Sequence, residues 1–133
     1  MTKKYKKIRT GVIGVGSMGQ NHARIYSEIS NLVGVADPDE KQGSKIASLY
    51  GAKWFKNYEE MLSEVDAVSI SVPTFMHEEV SKKASNANVN ILVEKPLAAN
   101  IDQSKNIIDF CNSNQVTLGV GHVERFNPVI KAV

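Results

Sequence analysis

The stretch Val12-Ile13-Gly14-Val15-Gly16-Ser17-Met18-Gly19 decides how this chain folds, because it places a G-x-G-x-x-G pattern between an apolar run and an amphipathic stretch. Gly14 allows a tight turn, Gly16 has no side chain to block a pyrophosphate, and Gly19 lets a helix pack closely on a strand. The N-terminus of that helix offers free N–H groups and the positive end of its dipole to phosphates. The stretch therefore predicts a strand, a loop and a helix that bind a dinucleotide.

Asp37 stands 18 residues beyond Gly19, at the end of the second apolar run. A carboxylate at this place accepts hydrogen bonds from an adenosine ribose, and it can also cap a helix that begins at Pro38. The same carboxylate would repel a 2′-phosphate, and no arginine follows it in residues 38–44. The pattern favours NAD over NADP, although Lys41 keeps NADP open as an alternative.

Short apolar runs alternate with longer amphipathic stretches along the chain. The apolar runs, rich in Val and Ile, are residues 8–15, 32–36, 67–72, 90–93 and 116–120. The predicted helices are residues 18–29, 38–50, 58–62, 76–86 and 101–112. This β-α-β-α succession predicts an α/β fold with an open, doubly wound parallel sheet and right-handed crossovers. Ligands of such a sheet bind beyond the carboxyl ends of its strands.

Residues at the predicted helix ends support these assignments. Asn57 is placed to cap the third helix, and Gly51 to end the second one. In the last helix, Ile101, Ile108 and Cys111 are expected to share one face. Because Cys111 is the only cysteine, it forms no internal disulfide, and we expect it to be a small buried apolar residue without chemistry. No spacing of His, Cys, Asp or Glu indicates a metal site.

Composition indicates a globular protein of one domain. The chain has 133 residues, 42% of them hydrophobic and 23% charged. Its net charge of +2 rests on four lysines within residues 3–7, and the rest of the chain is net acidic. This cluster fits a solvated tail better than a basic arm for an anionic partner, so we expect no nucleic-acid partner. The absence of a long apolar stretch and of a signal-peptide pattern predicts no membrane partner and a cytoplasmic location.

Three further segments follow predicted strands and so fall at the expected ligand edge. They are Val72-Pro73-Thr74-Phe75-Met76-His77, Glu94-Lys95-Pro96 and Gly121-His122-Val123-Glu124-Arg125-Phe126-Asn127-Pro128. Together with the glycine pattern and His22, they resemble the glucose-fructose oxidoreductase and inositol 2-dehydrogenase (Gfo/Idh/MocA) family over essentially the whole chain. The third segment is similar to the end of the Rossmann domain in members that oxidise nucleotide-linked amino sugars, such as UDP-N-acetylglucosamine 3-dehydrogenases.

The resemblance implies a Rossmann domain that is followed, in the family, by a second α+β domain with a large open sheet. We expect residues 1–133, with a core of 7–128, to be the first of these domains, truncated before the second. The family consists of dehydrogenases of sugars, sugar nucleotides and cyclitols, whose usual acid/base histidine lies in the second domain. Members associate through that domain, which implies a homo-oligomeric parent protein with a sugar-like small-molecule substrate.

Lys95 matches the family's catalytic lysine, which lies near the nicotinamide and the reacting carbinol. Independently, a lysine after a buried strand would be partly desolvated, which would lower its pKa, or its charge would hold a substrate oxygen. Pro96 keeps Lys95 out of helical geometry and can form a cis bond. Without the resemblance, a strand-end lysine that reaches solvent would be the simpler interpretation.

Other polar residues have weaker assignments. His77 is expected near the cofactor, with a capping or surface role as an equal alternative, whereas helix packing is favoured for His22. His122 and Arg125 are candidates for substrate contact, and a structural ion pair is the alternative for Arg125. The residues expected to contact the cofactor are Gly14, Gly16, Ser17, Met18, Gly19, Asp37, Pro73, Thr74, His77, Glu94 and Lys95.

Two functions are consistent with the sequence. The first is hydride transfer between a secondary carbinol of a sugar-like substrate and NAD, for which this chain supplies cofactor binding. The second is a non-catalytic NAD-binding module that senses redox state or regulates a partner. No recognition helix or basic patch supports the second function, so the first is favoured.

Overall fold

A computed structural model describes residues 8–121 and shows one sheet of six parallel strands between helices. The strands are β1 (Arg9–Ile13), β2 (Asn31–Ala36), β3 (Lys53–Phe55), β4 (Ala67–Ile70), β5 (Asn90–Glu94) and β6 (Leu118–Gly121). The helices are α1 (Ser17–Ile29), α2 (Glu40–Leu49), α3 (Tyr58–Met61), α4 (His77–Asn86) and α5 (Ile101–Ser113). Short 3₁₀ turns precede β4 and α4, at Leu62–Glu64 and Thr74–Met76.

The strand order is β3-β2-β1-β4-β5-β6, and every neighbouring pair is parallel. The order reverses between β1 and β4, so the connections on either side of this point leave a crevice at the carboxyl ends of the two strands. This arrangement confirms the predicted doubly wound α/β fold. It also places the glycine loop, which follows β1, at the crevice.

Separate apolar cores cover the two faces of the sheet. On one face, Val12 and Val35 pack with Ala23 of α1 and Ile46 of α2. On the other face, strand residues pack with α4 and α5 through Val80 and other side chains. Because both faces are covered, the strands carry Val and Ile with little polar alternation, which is why they appear as continuous apolar runs in the sequence.

In the second βα unit, the predicted cap at Asp37 is wrong, and one strand that follows was not predicted. Helix α2 begins at Glu40 rather than at residue 38, because the carboxylate of Asp39, and not that of Asp37, accepts a hydrogen bond from the Gln42 N–H and caps the helix. The third strand, β3, was missed because three residues are too few to show a pattern. The caps at Asn57 and Gly51 are confirmed: Asn57 accepts from Glu59 N–H, and Gly51 has a φ of +70°.

The face that Ile101, Ile108 and Cys111 share in the last helix is buried only in part. Ile101 is 73% exposed and Ile108 is 44% exposed, whereas Ile107 and Cys111 are buried. Ile107 and Cys111 are four residues apart and point together toward the sheet, which rotates Ile108 by about 100° away from it. Seven-residue spacing did place Ile101 and Ile108 on one side of α5, but that side faces outward. Within residues 8–121, no helix is long and apolar enough to cross a membrane.

Candidate functional site

The glycine loop has the geometry that its spacing predicts. Gly14 has a φ of +89°, which favours glycine, and its N–H donates to the Ala36 carbonyl oxygen at 2.8 Å. A Cβ on Gly19 would overlap the Gly14 carbonyl oxygen, so Gly19 is needed for the close approach of α1 to the turn. These two glycines are therefore explained by the protein alone.

Gly16 differs from its neighbours because nothing in residues 8–121 requires glycine there. Its φ is −69°, which any residue adopts, and no atom of the described residues lies within 4 Å of a Cβ built at this position. Gly16 is exposed and is the N-cap residue of α1, and it supplies no side-chain hydrogen bond to the first turn of that helix. The space in front of Gly16 and the uncapped helix end together fit a phosphate group.

Hydrogen bonds hold both the N–H and the carbonyl group of Val15 in place inside the loop. Val15 N–H donates to Asp37 Oδ2 at 3.0 Å. The side-chain amides of Gln20 and Gln42 both donate to the Val15 carbonyl oxygen, at 3.1 Å and 2.7 Å. Sequence analysis missed both glutamines, because they belong to different helices and only the fold brings them to one atom.

A small pocket of about 60 Å³ lies beside Asp37, at the carboxyl ends of the central strands. The second oxygen of Asp37 accepts from Asp39 N–H at 2.9 Å. Lys56 and Tyr58 also line this pocket, and sequence analysis missed them because they follow the unrecognised strand β3. Lys41, which kept NADP open, lines a different groove.

The segment after β4 forms the opposite side of the crevice. Pro73 is exposed and Thr74 is half-buried, as expected for residues at a ligand edge. Among the described residues, the buried hydroxyl of Ser71 has no hydrogen-bond partner, and its Cβ lies 3.5 Å from where a Cβ of Gly19 would be. An orphaned hydroxyl beside the glycine loop fits a site whose remaining polar partner is a ligand.

The expected cofactor contact of the His77 ring needs correction. His77 is 1% exposed, so it is neither at the surface nor open to a ligand. Its Nδ1 lies 3.1 Å from the carbonyl oxygens of Pro96 and Leu97, and its Nε2 lies 2.8 Å from that of Val72. Because both ring nitrogens face protein carbonyls, His77 joins the segments after β4 and β5.

Lys95 lies directly after β5, and its peptide bond to Pro96 is cis. The lysine side chain is exposed, which favours the alternative in which its charge holds a substrate oxygen over the alternative of partial burial. The neighbouring Glu94 is mostly buried, and its Oε1 lies 2.5 Å from His22 Nε2. Lys95 thus presents an exposed positive charge beyond the carboxyl end of the sheet, and the packing role favoured for His22 includes a contact with Glu94.

Three further residues that sequence analysis discussed are His122, Arg125 and Cys111. His122 and Arg125, the substrate candidates, lie outside the described residues. Cys111 is buried, which raises the pKa of its thiol and keeps it protonated, in agreement with the prediction that it carries no chemistry. Among residues 8–121, no group of three or more His, Cys, Asp or Glu side chains is placed to hold a metal ion.

A parallel sheet in this strand order, with a glycine loop at its switch point and a carboxylate after β2, defines a dinucleotide-binding Rossmann domain. A sequence profile described as "Oxidoreductase family, NAD-binding Rossmann fold" matches residues 8–122. The chain therefore belongs to this family, Gfo/Idh/MocA, which the sequence resemblance implied.

Curated relatives extend this assignment. The chain is 37% identical over 124 residues to the UDP-N-acetylglucosamine 3-dehydrogenase of Acidithiobacillus ferrooxidans, with 93% of this chain and 40% of the relative covered. It is 32% identical over 128 residues to the scyllo-inositol 2-dehydrogenase (NAD(+)) of Bacillus subtilis, with 92% and 37% covered. The chain thus spans about 40% of the length of the relatives it matches.

Solved structures show the same fold. The structure of the UDP-N-acetylglucosamine 3-dehydrogenase from Acidithiobacillus ferrooxidans matches with a TM-score of 0.91 at 36% identity, covering 95% of this chain and 42% of that one. A probable dehydrogenase from Thermotoga maritima matches with a TM-score of 0.88 at 29% identity, covering 94% and 39%. The architecture described above is therefore shared with about 40% of each of these two chains.

Proposed function

We propose that this chain binds NAD at the crevice between β1 and β4, and that the whole protein is a dehydrogenase. Its reaction is hydride transfer between a secondary carbinol and the nicotinamide ring, and its substrate is a sugar, a sugar nucleotide or a cyclitol. The substrate class rests on what the relatives act on, a UDP-N-acetylglucosamine in one case and scyllo-inositol in the other. A homo-oligomeric assembly and a cytoplasmic location belong to the same proposal.

The observation that carries the proposal is Gly16. Gly14 is explained by its positive φ and Gly19 by the close packing of α1, but neither backbone nor packing explains a glycine at position 16. The open space in front of it lies at the N-terminus of a 13-residue helix, where a pyrophosphate is stabilised by free N–H groups and the helix dipole. Since the described residues give no other reason for glycine at this position, the open space supports a bound pyrophosphate.

Each remaining residue has a task consistent with its position. The N–H groups that begin α1, at Ser17 and Met18, bind phosphate, and Asp37 accepts hydrogen bonds from the adenosine ribose while it holds Val15. The segments that begin at Pro73 and Glu94 border the cofactor, which supplies the hydride acceptor when it is bound. The exposed ammonium of Lys95 orients the carbinol oxygen and stabilises negative charge on it.

Calorimetric titration of this chain with NADH and NADPH tests the proposal. We expect Gly16→Ala to weaken NADH binding by roughly tenfold or more, about 1.4 kcal/mol, while the free energy of unfolding changes by less than about 0.5 kcal/mol. We expect Asp37→Ala to weaken NADH binding and to reduce the preference over NADPH. Ser48→Ala, at an exposed site in the last turn of α2, is the matched control.

Either of two results would contradict this assignment. One is a folded wild-type chain that binds neither nucleotide, and the other is a Gly16→Ala variant that binds NADH as tightly as the wild type. Equal binding of NADPH and NADH by the wild type would overturn only the choice of cofactor. In that case Lys56, which lines the pocket beside Asp37, would be the first residue to replace.

A further inference from the structure

Two histidines hold the residues on either side of Lys95, one from each face of the sheet. Along β5, Ile91 and Val93 point into the core formed with α4 and α5. The alternation of side chains along a strand therefore turns Glu94 to the opposite face, toward α1. There it meets His22, whereas the carbonyl groups after Lys95 meet His77.

The first contact lies on the α1 face. His22 Nε2 and Glu94 Oε1 are 2.5 Å apart, and their side chains are only 15% and 13% exposed. A Cβ on Gly121 would lie 3.1 Å from the same Glu94 oxygen, so the absence of a side chain on β6 leaves the carboxylate its space. Glu94 is thus held by His22 of α1, and the neighbouring strand β6 leaves room for its carboxylate.

His22 is itself oriented by two hydroxyl groups. Its Nδ1 lies 3.0 Å from the hydroxyl of Ser69 in β4. The Ser69 hydroxyl in turn lies 2.5 Å from the hydroxyl of Tyr26. Burial raises the pKa of the Tyr26 phenol, so Tyr26 keeps its proton at neutral pH. Either hydroxyl can donate in the contact between Tyr26 and Ser69; when Tyr26 donates to Ser69 and Ser69 donates to Nδ1, the proton of His22 is on Nε2 and is donated to Glu94.

The second contact lies on the opposite face. His77, the first residue of α4, is buried, and its Nδ1 faces the carbonyl oxygens of Pro96 and Leu97. Its Nε2 faces the carbonyl oxygen of Val72, which comes after β4. Since carbonyl oxygens only accept, the ring nitrogen that carries the proton donates, either to Val72 or to the segment that follows Lys95, and the ring packs against both.

We propose that His22 and His77 are positioning residues for Lys95. His22 fixes the residue before it and His77 fixes the two residues after it, so the backbone that carries the exposed lysine is held from both sides. The inference rests on the proposed function, which assigns to Lys95 the orientation of the carbinol oxygen. A group with that role must be placed to within about 1 Å. Neither histidine touches the reacting atoms.

Variants of His77 separate positioning from a general contribution to stability. Asn places an amide near the position of Nδ1 and keeps a donor toward Pro96 and Leu97. Gln places its amide near the position of Nε2 and keeps a donor toward Val72 only. The control is Val80→Ala, which removes buried apolar atoms from the same helix and leaves the contacts of His77 in place.

Variants of His22 provide an independent pair. His22→Gln keeps an N–H that can reach Glu94, whereas His22→Leu removes it at similar volume. Backbone amide NMR of this chain, recorded without ligand, reads out the segment directly through the Lys95 and Leu97 signals. A titration with NADH is then measured on each variant.

We expect the Lys95 and Leu97 amide signals to shift in His77→Gln and His22→Leu, and to stay near their wild-type positions in His77→Asn, His22→Gln and Val80→Ala. Signals that do not move in His77→Gln and His22→Leu would overturn the inference, and so would an equal shift in Val80→Ala. If no His77 variant folds, the His22 pair decides. A wild-type chain that does not bind NADH would contradict the proposed function. The amide signals of Lys95 and Leu97, recorded without ligand, would still show whether the two histidines position this segment.

Discussion

Trp54 connects the end of β2 to helix α2 through one hydrogen bond and one close contact. Its indole Nε1 donates to the Asp37 carbonyl oxygen at 2.9 Å. A Cβ on Gly43, in the first turns of α2, would overlap the indole ring. The small residue at position 43 is therefore what lets the ring lie against α2 and hold the backbone of the residue that we assign to the ribose.

We expect Gly43→Ala to lower the free energy of unfolding by about 1–3 kcal/mol, because the indole must move and the overlap strains the helix. At an open helical position, the same change would instead stabilise by up to about 1 kcal/mol. Urea denaturation followed by the fluorescence of Trp54, the only tryptophan, measures the difference. Ser48→Ala in the same helix is the control, and a Gly43→Ala variant at least as stable as the wild type would contradict the expectation.

Residue roles could be predicted from the sequence where the role depends on spacing along the chain. Gly14 and Gly19 are of this kind, since the turn and the start of α1 lie within six residues. The ring of His77 could not be assigned correctly, because its partners Pro96 and Leu97 are about 20 residues away. No local pattern records such a contact.

At the scale of elements, an ion pair joins the start of β1 to the start of β4. The backbone N–H of Arg9 donates to Asp66 Oδ2 at 2.9 Å, and its guanidinium donates to Oδ1 at 2.9 Å. These hydrogen bonds hold the pKa of the Asp66 carboxyl below its usual value. Nearly half of each side chain is exposed, at 48% and 45%, so solvent weakens the pair.

We expect Asp66→Asn to destabilise the protein slightly at neutral pH. The lowered pKa in the folded state means that the contribution of Asp66 is present above its usual pKa and is lost as the pH falls through the folded value. The difference between wild type and variant therefore shrinks below about pH 4. Urea denaturation at a series of pH values measures it, with Asp109→Asn, an exposed aspartate on α5, as the charge-matched control. A difference that does not depend on pH would contradict the assignment.

The elements themselves were largely predictable. Five of the six strands and all the helices longer than four residues follow from the alternation of apolar runs with amphipathic stretches, because each buries a long patterned face. The strand β3 was not predicted because three residues are too few to show a periodic pattern. For the same reason, Lys56, which follows β3, was not recognised as a residue of the site. The start of α2 was misplaced because Asp37 and Asp39 are both good caps, and only the structure shows which one bonds to the helix.

At the scale of the whole molecule, cofactor binding should stabilise the fold. A ligand that binds only the folded state adds about 2.7 kcal/mol at a concentration one hundred times its dissociation constant. We expect NADH at that excess to raise the melting temperature by roughly 5–10 °C, and NADPH at the same concentration to raise it less. Differential scanning calorimetry checks this, with Gly16→Ala as the weaker-binding control: a tenfold lower affinity leaves about 1.4 kcal/mol of stabilisation at the same NADH concentration, so we expect about half the wild-type shift. An equal shift in wild type and Gly16→Ala would place the stabilising site elsewhere.

The strand order also has a consequence for synthesis on the ribosome. Residues of β1 pair on one side with β2, beginning with Arg9 and Asn31, and on the other side with β4, where Thr10 meets Ala67. The core beneath α1 and α2 draws on residues up to position 54, whereas the core on the other face needs Cys111. A nascent chain can therefore close one face of the sheet long before the other, and until then β1 emerges with an open edge and an uncovered apolar face that a chaperone can recognise.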